Sequence, residues 1–172
     1  MGGDYAPANV VAGARDAVRE SAGRFGLCLV GRKEQIEPQL QAHGSPVDRI
    51  SVVHAAEVIE MHDSPNAALK SKRNSSIAVG LTMVRNGQAD AFVSAGNTGA
   101  VLSASTLILG RIKGVGRPTI GALVHTATTP CLLVDAGANV DCRPRHLFEF
   151  GVMGAIYVSA MLGTPHPRVG LL

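Results

Sequence analysis

Hydrophobic and polar positions along the chain alternate between helical spacing and short apolar runs. From residue 8 to about residue 25, apolar positions recur at helical spacing with charged residues to one side, which predicts an amphipathic helix. The apolar run 27–30, between two glycines, is typical of a strand that is buried on both faces. A polar helix over 34–42 and a second strand over 50–53 are predicted to follow.

The pattern in the middle of the chain predicts a strand, a glycine-rich turn and a helix in immediate succession. A polar loop with Asp63 comes first, and then a helix that begins after Ser75 or Ser76 and ends before Gly87. Residues 91–93 form the predicted strand, 94–99 the turn, and 100–109 the next helix.

The last third predicts two strands and a long helix. The strands cover 120–124 and 132–134, with a Thr-rich turn over 126–129 between them. Pro144 suits the first turn of a helix that extends to about residue 162, before Gly163. This helix is apolar nearly all round, so we expect it between the sheet and another protein surface. Residues 168–172 read as the beginning of a further strand, and we therefore expect the chain to be incomplete.

Strands that alternate with helices predict an α/β fold: a mostly parallel sheet with helices on both faces, in three layers. The 172 residues, 46% hydrophobic and only 3% aromatic, suit one such domain with a core of Ala, Val, Leu and Ile. A net charge of +3 without long charge runs argues against nucleic-acid binding and suits small anionic ligands.

The expected location is the cytoplasm, with at most peripheral membrane contact. The segment 147–162 is interrupted by Glu149 and is shorter than the roughly 20 residues that cross a bilayer. Cys28, Cys131 and Cys142 lie far apart and are typical of reduced thiols in a cytosolic protein.

The most informative chemistry is expected in the turn over 94–99. Its glycines, Gly96 and Gly99, allow backbone N–H groups to converge on an anion at the start of a helix, and Asn97 and Thr98 can add side-chain donors. Ser94 opens the turn. The alternative is a tight strand-to-helix connection capped by Asn or Thr.

Two further segments can form walls of the same site. The loop 135–141 offers Asp135, Gly137, Asn139 and Asp141 after another strand, so both loops are expected to face one crevice. An Asx turn with an Asp cap is the structural alternative. At the beginning of the chain, Gly2 and Gly3 permit close backbone approach and Asp4 can orient a ligand, unless this terminus is disordered.

A basic cluster precedes the helix that begins near Ser75. Lys70, Lys72 and Arg73 can attract phosphate or an acidic carrier protein, or can be a solvated loop. No metal or organic cofactor is predicted, and the histidines show no metal-binding pair; they are His43, His54, His62, His125, His146 and His166. Covalent catalysis is not indicated, because no Ser or Cys has a nucleophile-elbow pattern.

The ordered set of these motifs closely resembles the PlsX family of phosphate acyltransferases. The motifs are Met1-Gly-Gly-Asp-Tyr-Ala-Pro7, Asp63-Ser-Pro65, Ser94-Ala-Gly-Asn-Thr-Gly-Ala100 and Asp135-Ala-Gly-Ala-Asn-Val-Asp-Cys142, with further similarity at 110–118 and 167–172. The resemblance implies a three-layer fold similar to isocitrate and isopropylmalate dehydrogenases, usually as a cytoplasmic homodimer. Members normally begin with an apolar strand before Met-Gly-Gly-Asp and continue into a second half of the fold, so this chain resembles the N-terminal part of a longer enzyme.

The implied reaction transfers a fatty acyl group from acyl carrier protein to inorganic phosphate, and a membrane glycerol-3-phosphate acyltransferase receives the acyl phosphate. On this hypothesis the turn 94–99 holds phosphate, with Asn97 and Thr98 in orienting roles, while Asp4 and the loop 135–141 form the opposite wall. Lys70, Lys72 and Arg73 help to dock the carrier protein. The alternatives are a dehydrogenase or a phosphotransacetylase-like enzyme on the same scaffold, or a non-catalytic anion-binding or dimerisation fragment.

Overall fold

A computed structural model describes residues 1–42, 48–127 and 129–172. The predictions that involve His43 and Thr128 lie outside these residues. The chain divides into two compact units, Met1–Gly110 and Arg111–Leu172.

The first unit contains most of the secondary structure. Its described elements are, in chain order, α1 (Ala8–Glu20), β1 (Leu27–Gly31), α2 (Lys33–Ala42), β2 (Ile50–His54), α3 (Pro65–Ser71), α4 (Ser76–Arg85) and α5 (Thr98–Ile108). Strands β1 and β2 pair in parallel, with Leu29 opposite Val52. A parallel pair needs a crossover, and α2 supplies it.

Helix α1 ends at Glu20, five residues earlier than the pattern indicates. Ser21 is buried and donates its hydroxyl to the carbonyl of Val18, and Ala22 and Gly23 then take positive φ angles of 48° and 84°. Residues in this left-handed region cannot continue a right-handed helix, so the chain turns here toward β1.

Two small apolar clusters form the core of the first unit. One joins α1 to the parallel strands through Val11, Ala14, Leu29 and Ile36. The other joins α3, α4 and α5 around Leu81 and also contains Ile59, Ala68, Ile77, Ala100 and Ala104. The predicted cap of α4 is confirmed at Ser75, whose Oγ accepts a hydrogen bond of 3.4 Å from Ala78 N–H.

Two sequence predictions for this unit are wrong. The segment after Asp63, read as a loop, forms the short helix α3, because Pro65 fits its first turn and Ala68 packs into the core. Residues 91–93, read as a strand, pair with no neighbouring strand among the described residues, and Val93 is 92% exposed. Phe92 instead lies against Gly80 of α4.

The second unit contains β3 (Gly121–Val124), β4 (Cys131–Val134) and α6 (Pro144–Leu162). Its two strands pair antiparallel, with Leu123 opposite Leu132, which departs from the expected parallel arrangement. The connection over 125–130 is too short for the crossover that parallel strands require. The α/β class is confirmed, since the described residues form six helices and include a small parallel sheet.

Helix α6 has the predicted bounds and ends where Gly163 adopts a φ of 67°. It packs on β4, and Phe150 is buried. Its other faces expose large apolar side chains, among them Phe148 (72%), Ile156 (64%) and Met161 (67%). No helix within the described ranges has both the length and the apolar character that a membrane span requires. The predicted strand at 168–172 is wrong, since these residues form no ladder with the described strands.

Candidate functional site

The glycines at the beginning of the chain lie directly against the turn over 94–99. A Cβ atom placed on Gly2 would lie 2.9 Å from the Cα atom of Gly96, and one placed on Gly3 would lie 3.0 Å from the Cβ atom of Ala95. Neither position can hold a larger side chain without moving backbone. The structure therefore brings together two of the predicted segments, and the opening residues are ordered against the turn.

Asn97 is the N-cap of α5, and its carboxamide is fully engaged. Its Oδ1 atom accepts a hydrogen bond of 3.0 Å from Ala100 N–H. Its Nδ2 atom lies 3.2 Å from each of three carbonyl oxygens, those of Glu60, Met61 and Asp63. The residue is 7% exposed. Its side chain thus fixes the turn, as the capping alternative indicates, and has no donor left over for a ligand.

Two backbone N–H groups at the start of α5 have no acceptor among the described residues, and we call them open amides. Ala100 N–H donates to Asn97 Oδ1, and Val101 N–H donates to the carbonyl of Asn97. For Thr98 and Gly99, no acceptor of the N–H group is found within the part of the chain that the structure describes. The first amides of a helix carry partial positive charge, so this pair can bind an anion.

The surroundings of these two amides are partly exposed. Thr98 and Ser94 are exposed, and Ser94 Oγ accepts a hydrogen bond of 3.1 Å from Gly96 N–H. Gly99 is pressed against α3, since a Cβ atom added there would lie 2.8 Å from Pro65 Cγ. Asp4 is exposed, and its carboxylate has no hydrogen bond or ion pair to any described residue. The two amides and a free carboxylate therefore belong to the same unit.

The three basic residues differ in their surroundings. Lys72 Nζ donates to Asp63 Oδ2 at 2.5 Å and to the carbonyl of Val58 at 2.9 Å. Lys70 is exposed on α3, and Arg73 lies at an open groove bordered by α4 and Val53. The pKa of Asp63 is lowered, first by the hydrogen bond from Lys72 and then by that from Glu60 N–H.

The loop over 135–141 belongs to the second unit, where it is tied down by its own hydrogen bonds. Asp135 Oδ1 accepts from Thr119 Oγ at 2.7 Å and from Ile120 N–H at 2.9 Å, while Oδ2 accepts from Asn139 N–H at 2.6 Å. Burial alone would raise the pKa of Asp135, but these donors together hold it below its usual value. Asp135 therefore organises the loop from within.

The rest of this loop is more open. Asn139 Nδ2 donates to the carbonyl of Pro118 at 3.0 Å, and Gly137 has a φ of 89° that favours glycine. Asp141 is exposed, and its carbonyl accepts from Arg117 at 2.9 Å. The N-cap of α6 is Arg143, so Asp141 does not cap that helix as the structural alternative supposes.

Sequence reasoning missed the segment 58–63 as part of the site. Its contribution is three backbone carbonyls, which any residue type provides, so the residue pattern carries no signal for it. In the second unit, the contact of Glu149 was likewise not predicted. Its Oε2 atom accepts a hydrogen bond of 2.7 Å from Gly116 N–H, and its pKa is lowered chiefly by that bond. This contact gives a partner to the single acidic residue of α6, which lies near the start of the helix.

These features define an α/β protein in which a glycine-containing turn leads into α5 and presents backbone amides suited to a small anion. Over residues 1–172 the sequence matches the model of a protein family described as fatty acid synthesis protein, and the chain belongs to that family. The resemblance to PlsX found in the sequence motifs is confirmed by its relatives. The sequence of this chain is 49% identical to the phosphate acyltransferase of Desulforamulus reducens, 45% identical to that of Acetivibrio thermocellus and 49% identical to that of Chlorobaculum tepidum.

Each of these alignments covers the whole of this chain and 51%, 50% and 52% of the respective relative. The chain thus spans about half the length of the curated relatives that it matches.

Proposed function

We propose that the chain is the N-terminal part of an enzyme that transfers a fatty acyl group from acyl carrier protein to inorganic phosphate. The relatives named phosphate acyltransferase support the reaction. The observation that carries the site is the pair of open N–H groups on Thr98 and Gly99, at a helix start that three neighbouring carbonyls hold in place through Asn97.

In the proposed step a phosphate oxygen attacks the carbonyl carbon of the thioester. The C–O bond forms, the C–S bond breaks, and the carrier thiol leaves with the proton that the hydrogen phosphate gives up. Phosphate is itself the nucleophile, so no acyl-enzyme is required. The protein has to hold the phosphate in line and to stabilise developing negative charge.

The open amides of Thr98 and Gly99 bind phosphate in this proposal, and the Thr98 hydroxyl adds a donor. Asp4, which is exposed and unpaired among the described residues, orients the bound group or a water. Asn97 acts by positioning, since its carboxamide is already engaged. That the loop over 135–141 forms the opposite wall stays a prediction from the sequence.

The partners proposed are acyl carrier protein, inorganic phosphate and a second copy of the enzyme, with a membrane glycerol-3-phosphate acyltransferase as the recipient of the product. Exposed Lys70 and Arg73 support docking of an acidic carrier. The exposed apolar side chains of α6 support a protein–protein contact, such as a homodimer provides. We further propose one three-layer α/β/α domain similar to isocitrate dehydrogenase, located in the cytoplasm or peripherally at the inner face of the membrane.

The test is formation of acyl phosphate from acyl carrier protein, followed by ³¹P NMR with and without inorganic phosphate. The full-length enzyme should form acyl phosphate only when phosphate is present, and acyl-CoA in place of the carrier should react poorly. Equal use of acyl-CoA would favour the phosphotransacetylase-like alternative. Absence of phosphate-dependent thioester cleavage would leave the non-catalytic anion-binding fragment as the better description.

A further inference from the structure

Lys72 lies in a hydrogen-bonded network, unlike its neighbour Lys70. Its ammonium group donates to the Asp63 carboxylate at 2.5 Å and to the carbonyl of Val58 at 2.9 Å, and its side chain is 30% exposed. Lys70 points from the same region of α3 into solvent, and no described residue pairs with it. Two lysines of one basic cluster therefore have different surroundings.

The network holds the segment 58–63 in one conformation. Lys72 binds the segment at both ends, through the carbonyl of Val58 and the carboxylate of Asp63. The same Asp63 oxygen also accepts a hydrogen bond of 2.8 Å from Glu60 N–H. Each of these three bonds has an ionised donor, an ionised acceptor or both, and such bonds are stronger than neutral ones, so they can fix a short stretch of loop.

The fixed segment in turn holds the N-cap of α5. Three of its carbonyl oxygens, those of Glu60, Met61 and Asp63, each lie 3.2 Å from Asn97 Nδ2. The other end of the Asn97 carboxamide accepts from Ala100 N–H at 3.0 Å. Contacts of 3.2 Å or less thus run without a gap from Lys72 to the first turn of α5.

We propose that Lys72 is a positioning residue for the phosphate site, and that it acts through Asp63, the segment 58–63 and Asn97 on the amides of Thr98 and Gly99. This inference rests on the proposed function. Lys72 is thereby separated from carrier docking, which Lys70 and Arg73 perform. Because both amides must contact the phosphate at once, a small displacement of either amide weakens phosphate binding.

Steady-state kinetics of the full-length enzyme separate the two roles. Lys72→Met should raise the KM for phosphate on the order of tenfold, with the KM for acyl carrier protein little changed. Lys72→Arg, which keeps the cation, should restore most of the phosphate affinity. Lys70→Met is the matched control and should affect the KM for the carrier alone. A raised KM for the carrier with unchanged phosphate KM in Lys72→Met would overturn the inference.

Asp63→Asn provides an independent variant in case Lys72→Met does not fold. It should raise the phosphate KM to a similar extent, and the double variant should add little, because both changes act through one network. Additive effects of the two changes would contradict a shared network.

Amide hydrogen exchange gives a readout that does not depend on activity. Lys72→Met should speed exchange at the Ala100 and Val101 amides of α5, while exchange in α1 stays unchanged. Unchanged exchange at α5 would overturn the coupling. If the wild-type enzyme forms no acyl phosphate at all, the proposed function is wrong, and these exchange rates still decide whether Lys72 controls the turn.

Discussion

Asn97→Asp should destabilise the protein although aspartate caps helices as well as asparagine does. The substitution keeps an oxygen for Ala100 N–H, but it replaces the Nδ2 donor with an oxygen that faces three carbonyls. The preference ranking of N-cap residues alone predicts no change in the free energy of unfolding. The structure predicts a loss, because a buried donor is removed and the carbonyls of Met61 and Asp63 lose their described partner, while that of Glu60 keeps Asp63 N–H.

The magnitude follows from the number of bonds lost. Nδ2 has two hydrogens, and the bonds they make are only partly buried. At about 0.5–1.5 kcal/mol for each hydrogen bond, the loss is roughly 1–3 kcal/mol. A negative charge at the helix N-terminus stabilises the folded state by about 0.3–1 kcal/mol and offsets part of this loss. The net loss is therefore about 1.5 kcal/mol, which is a measurable part of a total stability of roughly 5–15 kcal/mol.

The assay is a urea titration of the enzyme followed by far-UV circular dichroism. Asn9→Asp is the matched control, since Asn9 is exposed in the first turn of α1 and its side chain has no described partner. The control should be neutral or slightly stabilising. An Asn97→Asp variant within about 0.5 kcal/mol of the wild type would refute the assignment of Asn97 as a clamp on the segment 58–63.

Gly99→Ala should destabilise by about 1–3 kcal/mol, because its Cβ would lie 2.8 Å from Pro65, whereas Gly13→Ala in open space on α1 should stabilise by roughly 0.5–1 kcal/mol. Thermal unfolding of both variants tests these two predictions, and equal changes in stability would contradict the close approach at Gly99. The lowered pKa of Asp135 contributes stability that is present above its unfolded pKa, about 3.9, and is lost as pH falls through the folded value. Urea midpoints between pH 6 and 3 should therefore fall less steeply for Asp135→Asn than for the wild type, and parallel curves would contradict the assignment.

Local patterns predicted the helices of this protein better than its strands. Helix α6 has the expected bounds because Pro144 and Gly163 mark its ends by their own backbone preferences. Residues 91–93 resemble a strand in composition, but a strand also requires a neighbour to pair with, and composition does not supply that information. The two strands β3 and β4 were predicted from their apolar runs. Their antiparallel direction follows from the short connection between them.

The candidate site was predictable where glycines reveal a close backbone approach. Gly2 lies against Gly96 and Gly3 against Ala95, at distances that leave no room for a side chain on either N-terminal glycine. The role of Asn97 required the structure, because its partners are backbone carbonyls more than thirty residues earlier in the chain. Lys72 likewise looks like Lys70 in the sequence, and only the contact with Asp63 distinguishes them.

The central claim is that backbone amides at the start of α5 bind phosphate, and Thr98→Pro tests it most directly. Proline is favoured at the first position of a helix, and the ψ of 109° at Asn97 is close to the range that a residue before proline adopts. The helix should therefore remain intact while one amide is lost. Thr98→Ala keeps the amide and loses only the hydroxyl.

The measurement is the KM for phosphate in acyl phosphate formation by the two variants. The account predicts an increase on the order of tenfold or more for Thr98→Pro over Thr98→Ala, with the helix content unchanged. Equal phosphate KM values for the two folded variants would show that the Thr98 amide does not hold phosphate.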